Sequence, residues 1–237
     1  GGATVTVGGA VENVHVANTT GVGILLGDSV VVCNVTAAGC GNSGIDARNS
    51  CRFTDCVATG NAIHGVRVLR GCSFSGCVMS ENLGDGITTA GNASIHNCTF
   101  RANGSYGCLS GSGSVLTDSV AYLNDDFGFY LSGNSTITGC SAYDNGTAGI
   151  FAQLGGSVIT SCGAFSNGSH GIETGSNAVV TFCSATSNGG SGIYASIGCE
   201  VIACVANSNA LDGVRCDPIA ARYQEFDHAH RRRASSR

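Results

Sequence analysis

The chain contains no lysine and no tryptophan, a single proline, and only 11% charged residues among its 237. Each shortage excludes something. With no lysine, and with six arginines against thirteen acidic residues over 1–216, the body lacks the basic surface that nucleic-acid binding requires, so no nucleic-acid partner is expected. No apolar run approaches the roughly 18 residues of a membrane-spanning helix, so no span is expected. Among fourteen cysteines there is no Cys-x-x-Cys pair, which removes the spacing of common zinc sites, and no metal site is expected. The opening Gly1-Gly2-Ala3-Thr4-Val5 has neither the charged region nor the apolar core of a secretory signal. Low charge does not mean disorder here, because apolar residues make up 43% and are patterned.

What is present is a beat. A glycine followed by an apolar residue occurs at Gly23-Ile24, Gly44-Ile45, Gly65-Val66, Gly86-Ile87, Gly107-Cys108, Gly128-Phe129, Gly149-Ile150, Gly171-Ile172, Gly192-Ile193 and Gly213-Val214. The step is 21 residues, and once 22. A fixed period of this size marks one supersecondary unit stacked on copies of itself.

Aligned on the glycine, the repeats form columns. Twelve positions earlier stands a large apolar residue, as in Phe53, Phe74, Ile95, Leu116 and Ile137. Nine earlier stands Cys56, Cys77, Cys98, Cys140, Cys162, Cys183 or Cys204, interrupted by Ser119. Seven earlier is alanine in most coils, and four earlier is asparagine, from Asn61 to Asn209. Inward residues two apart indicate strands, each too short to be a helical turn. Three short parallel strands per coil are therefore expected, in about ten coils and a rod of roughly 50 Å at ~4.8 Å per coil. A column of asparagines at a bend can bond along itself and satisfy buried backbone groups. The glycine serves either a tight backbone approach or a positive φ.

This pattern, x-[ILVF]-T-x-C-x-A-x-x-N-x-x-x-G-[IV]-x-[AV], resembles the right-handed parallel β-helix repeat of the pectate-lyase-like superfamily, over roughly residues 2–216. The resemblance implies an all-β solenoid, a polysaccharide partner, and a location outside the cell or in its envelope. Activity does not follow from the scaffold, because catalysis resides in residues grafted onto it.

Three readings compete for the cysteines. Disulfides between stacked coils need sulfurs turned toward one another, which parallel inward neighbours rarely offer. A metal site needs converging ligands. Free thiols acting as small apolar side chains are the expected reading, since Ser119 takes one place in the column. The cysteine count leaves the redox compartment open.

Function must come from outward positions. A threonine column (Thr117, Thr138, Thr160, Thr181) contains only one Thr-x-Thr rank, Thr136-x-Thr138, and is read as strand propensity rather than an ice-binding face. Outward aromatics gather on two strand faces, with Tyr122, Tyr143 and Phe165 on one and Tyr130, Phe151 and Tyr194 on the next. Of these, Tyr122, Tyr143, Phe165, Tyr130 and Phe151 are the candidate carbohydrate contacts. Among titratable residues, Asp46, Arg67, His64, His170 and Glu173 are the candidates for catalysis. Active members of the superfamily that this chain resembles use a carboxylate cluster, for Ca²⁺ or acid–base work, plus a cation. No two carboxylates occupy equivalent positions in adjacent coils here, and the period never expands into a substrate-binding loop.

The expected function is a non-catalytic carbohydrate-contacting or structural module of a secreted or surface protein, without cofactor. The alternative is a lyase, hydrolase or epimerase acting on an acidic polysaccharide, the only reading that brings in Ca²⁺. Because Gly2-Ala3-Thr4-Val5 aligns with a glycine strand, the chain starts in mid-coil, and further coils or domains of a longer parent are expected before it. After Cys216, Asp217-Pro218 reads as a helix start. Residues 217–237 are then expected to be a short capping helix, over Ile219 to His230, and a basic tail.

Overall fold

The computed structural model describes residues 3–217 and 222–225. The described chain is a parallel β-helix, in which every strand pairs with its counterpart one coil away. A typical coil has strands Cys108–Ser110, Val115–Thr117 and Val120–Tyr122, and the next repeats them as Phe129–Leu131, Thr136–Thr138 and Ser141–Tyr143. The register follows the sequence period, with Cys108 opposite Phe129, Leu116 opposite Ile137 and Ala121 opposite Ala142. Ala3 pairs with Ile24, so the first strand is a glycine strand, as the alignment expects. The one 22-residue step places its extra residue in the turn between Ala152 and Val158, where Leu154 stands exposed. No helix occurs among the described residues.

The inward columns form one continuous core. Isoleucine, valine, leucine and phenylalanine fill the wide sides, with Phe53 and Phe74 stacked at 4.6 Å, and alanine fills the narrow side. Asparagines 61 to 209 form an unbroken ladder. Asn103, for example, donates its backbone N–H and its Nδ2 to Oδ1 of Asn124, at 3.1 and 2.9 Å, and bonds back to the Met79 carbonyl at 3.2 Å. The amide groups of the ladder are thereby paired in the interior.

The repeat glycines serve close approach, not a positive φ. None of them adopts a left-handed backbone; that conformation falls instead on turn residues such as Asn34, Asp118, Asn97 and even the exposed Phe182. A Cβ at Gly107 would lie 2.5 Å from the Gly128 carbonyl oxygen and 2.9 Å from Asn124 Nδ2.

The cysteines do more than fill space. The backbone N–H groups of Cys162 and Cys183 donate to the sulfurs of Cys183 and Cys204, both at 3.4 Å, and Cys183 Sγ donates to the Thr181 carbonyl at 3.3 Å. Ser119 fits the column because its hydroxyl does the same, accepting from Cys98 N–H at 3.0 Å and donating to Thr117 at 2.8 Å. All fourteen thiols are free, and twelve are buried. Hydrogen bonding to the cysteine of the preceding coil, together with burial, pushes Cys162 and Cys183 up to about 12, against the opposing pull of the cysteine of the following coil. The thiolate is the reactive form. An aromatic disulfide reagent is therefore expected to titrate only Cys33 and Cys216 promptly in the folded protein, and all fourteen in denaturant. Prompt reaction of most thiols under native conditions would contradict this packing.

One expectation is corrected at the C-terminal end. Within the span read as a helix, Arg222–Glu225 form a strand pairing in parallel with Glu200–Asn207. The open edge of that strand presents unpaired N–H and C=O groups, and strand pairing satisfies them where a helix would not. The rest of the expected helix and the arginine tail lie outside the described residues.

Candidate functional site

Two positions of each coil flank the glycine on the side away from the core column: the residue just before it, exposed or half-buried where it is large and buried at Ser43, Asp85, Ala148 and Ser191, and the second residue after it. In-register stacking turns them into two parallel columns, so residues 21 apart become neighbours.

At one end of this face, Asp46 and Arg67 are cross-coil partners and form an ion pair. The hydrogen bond from Arg67 to Asp46 holds the guanidinium above its usual value. The pair lies in an open groove of about 520 Å³, lined also by Leu25, Arg48, Leu69 and Thr88. His64 flanks the groove. Its Nδ1 accepts the Asp85 N–H at 3.1 Å, which assigns the hydrogen to Nε2. The contact of Nδ1 with Asp85 Oδ2 at 3.3 Å is then not an ion pair. Buried Asp85 is committed to the scaffold, accepting from Thr88 Oγ1 at 2.8 Å and from Tyr106 N–H at 3.2 Å.

His170 and Glu173 lie five coils further along, roughly 24 Å away at ~4.8 Å per coil. The five catalytic candidates thus separate into two groups. His170 Nδ1 accepts the Ser191 N–H at 3.0 Å, and its ring stacks on Tyr194 with centroids 5.0 Å apart. Glu173 sits between Phe151 and Tyr194 in the outward column, and burial pushes its carboxyl above the usual range against the opposing pull of His170. Arg215 lies over the Tyr194 ring at 5.7 Å, and the Tyr194 hydroxyl donates to Asp217 at 3.3 Å.

Between these groups lies an aromatic cluster. Tyr106, Phe127 and Phe151 form a stack, with centroids 5.6 and 5.2 Å apart and planes within 24° and 22°. Tyr130 packs edge-on against Phe127 and Phe151, at 5.5 and 5.2 Å, and contacts Tyr106 at 5.2 Å. Phe151 reaches the stack because the residue before its own glycine is Ala148, which leaves the place beside Phe127 open. Sequence reasoning identified Tyr130 and Phe151 and missed Tyr106 and Phe127. The signal was available, since both occupy the position just before the glycine that holds His64, Asp85 and His170. All four rings are half-buried.

The other aromatic face is separate. Tyr122 and Tyr143 stack at 4.9 Å on the third strand. Phe165 follows them in register, but its ring folds over Gly163, where a Cβ would lie 2.6 Å from the ring atoms. The neighbouring coils carry Ser141 and Ser184 at that place, and only the glycine leaves room.

The fold and this face define a parallel β-helix that carries its outward chemistry on one strand column. The family described as right handed beta helix region matches residues 85–217, and the chain belongs to it. No curated protein sequence matches the chain. Among solved structures, it is similar to a mutant of the periplasmic alginate epimerase AlgG, with a TM-score of 0.61 and 13% identity over 90% of this chain and 69% of that one. It is also similar to the A-module of the Azotobacter vinelandii mannuronan C-5 epimerase AlgE6, with a TM-score of 0.60 and 19% identity over 91% and 71%. Pectate lyase Pel9A follows with a TM-score of 0.50 and 16% identity, over 84% and 71%. At these identities the likeness is one of fold.

Proposed function

We propose that the chain is a carbohydrate-contacting module of a secreted or envelope protein, with the glycan lying along the glycine-strand face across Tyr106, Phe127, Tyr130 and Phe151. The observation that carries this reading is the mutual packing of four outward rings on adjacent coils. Rings that already hold one another lose little side-chain freedom when a sugar face settles on them, so less of the contact energy is spent on ordering. The names of the structures that share the fold refer to alginate, mannuronan and pectate, which supports a polysaccharide ligand. Catalysis is the weaker reading. Asp46 and Arg67 neutralise each other, Asp85 is spent on the scaffold, and His170 and Glu173 stand apart from both.

Replacing Tyr130 with leucine keeps apolar bulk and removes the ring. Glycan affinity is expected to fall about tenfold, or ~1.4 kcal/mol, by calorimetry against a polysaccharide panel. The same change at Tyr143, on the other face, is expected to leave affinity within twofold. Equal loss from both variants, or from neither, would contradict the assignment.

A further inference from the structure

The charge balance of the chain changes sign along the sequence. Four of the eleven arginines, Arg48, Arg52, Arg67 and Arg70, fall within residues 44–70, against Asp46 and Asp55. From 102 to 217 the sequence holds one arginine and eight acidic residues. The aromatic cluster lies in this second stretch. Asp125 and Asp126 directly precede Phe127, Asp85 Oδ1 accepts the Tyr106 N–H at 3.2 Å, and Asp126 Oδ1 accepts from Thr147 Oγ1 at 2.7 Å. Glu173 stands next to Phe151 in the column, and Asp212 and Asp217 come later in the sequence. The single cation, Arg215, already lies over Tyr194. His170 uses its Nδ1 as an acceptor for the Ser191 N–H.

A uronate polymer laid on this surface would set its carboxylates against those of the protein. Like charges brought together across an interface cost several kcal/mol. A protonated amine meets the reverse: carboxylates within reach, and ring faces that attract cations. We propose that the aromatic stretch midway along the glycine-strand face takes a glycan bearing protonated amino groups, a polymer of the glucosamine type, in preference to a uronate polymer. This inference rests on the carbohydrate reading and deepens it by naming the sugar class. The carboxylates supply the preference and the rings supply the platform. The arginine-rich coils nearer the first strand lie outside the contact.

The test is calorimetric titration of the whole chain with three oligosaccharides of equal length, of glucosamine, N-acetylglucosamine and galacturonic acid, at low and at physiological salt. The glucosamine oligomer is expected to bind about tenfold tighter than the neutral one at low salt. That advantage is expected to shrink as screening shortens to a Debye length of about 8 Å, and the uronate is expected to bind least. Asp125 is exposed, and Asp125→Asn is expected to weaken glucosamine binding about two- to fivefold. Equal, salt-independent binding of the charged and neutral oligomers, or tighter binding of the uronate, would overturn the inference and leave the carbohydrate reading intact. An oligolysine of matched charge binding more tightly than the amino sugar would overturn it in favour of a basic peptide. Binding of none of the three sugars would overturn both.

Discussion

Gly128→Ala is expected to cost about 3 kcal/mol and to lower Tm by roughly 10 °C, if the variant accumulates folded at all. An added Cβ would lie 2.6 Å from the Gly149 carbonyl oxygen, 2.8 Å from Asn145 Nδ2 and 3.2 Å from Ala142 Cβ. The first of these cannot step aside. Gly149 O accepts the Phe129 N–H at 2.9 Å, and moving it would break the parallel ladder. The second belongs to the asparagine column, whose amides are fixed by their own bonds. Gly21 is the control, since nothing lies within 4 Å of its added Cβ and its φ is not left-handed. Gly21→Ala is expected to change stability by no more than about 0.5 kcal/mol. Thermal melts of the two variants separate a steric requirement from a general preference for glycine.

Asn124→Ala is expected to cost about 4 kcal/mol, the second large effect. The side chain makes four hydrogen bonds: it accepts from the backbone N–H and the Nδ2 of Asn103, and donates to the Phe100 carbonyl and to Asn145 Oδ1. Alanine removes all four bonds; Asn103 Nδ2 keeps the Met79 carbonyl and Asn145 Oδ1 keeps the backbone N–H of residue 124, while the Asn103 N–H and the Phe100 carbonyl lose this partner in the interior, at about 1–3 kcal/mol each before relaxation. The penalty depends on position. Asn209 closes the described ladder, is partly exposed, and loses three bonds, so Asn209→Ala is expected to cost about half as much. Denaturant unfolding of both variants checks this. Equal penalties would mean that the column acts as spacing rather than as a bonded chain.

Both effects start from columns visible in the sequence, and the reason is geometric. A parallel solenoid with in-register strands converts sequence period directly into spatial neighbourhood, so Asn103, Asn124 and Asn145 touch because they are 21 apart. What the period does not encode is distance across the coil boundary. Whether Gly128 serves a left-handed turn or a close approach depends on where the Gly149 carbonyl lies. Whether Cys183 is a hydrophobe or a hydrogen-bond acceptor depends on where the Cys162 N–H points. Ser119 held the clue to the second, because serine replaces cysteine well where a polar partner is waiting. Local cavities escape the period as well. Phe165 leaves its aromatic ladder because Gly163 beside it has no side chain, and Phe151 joins Phe127 because Ala148 is small. At Arg222–Glu225 a helix-like composition yields to the open edge of a sheet. For the outward face, the period placed His64, Arg67, His170 and Glu173 correctly in their columns. It did not show that His64 and His170 each give Nδ1 to a backbone amide of the next coil, which makes them part of the scaffold's bonding.

The proposed ligand contact lies midway along the glycine-strand face, and ring resonances report on it directly. In an NMR titration with an amino-glycan oligomer, shift changes are predicted at Tyr106, Phe127, Tyr130 and Phe151, with Tyr122 and Tyr143 unmoved. Changes centred on the Tyr122–Tyr143 stack, or on the groove of Asp46 and Arg67, would contradict it.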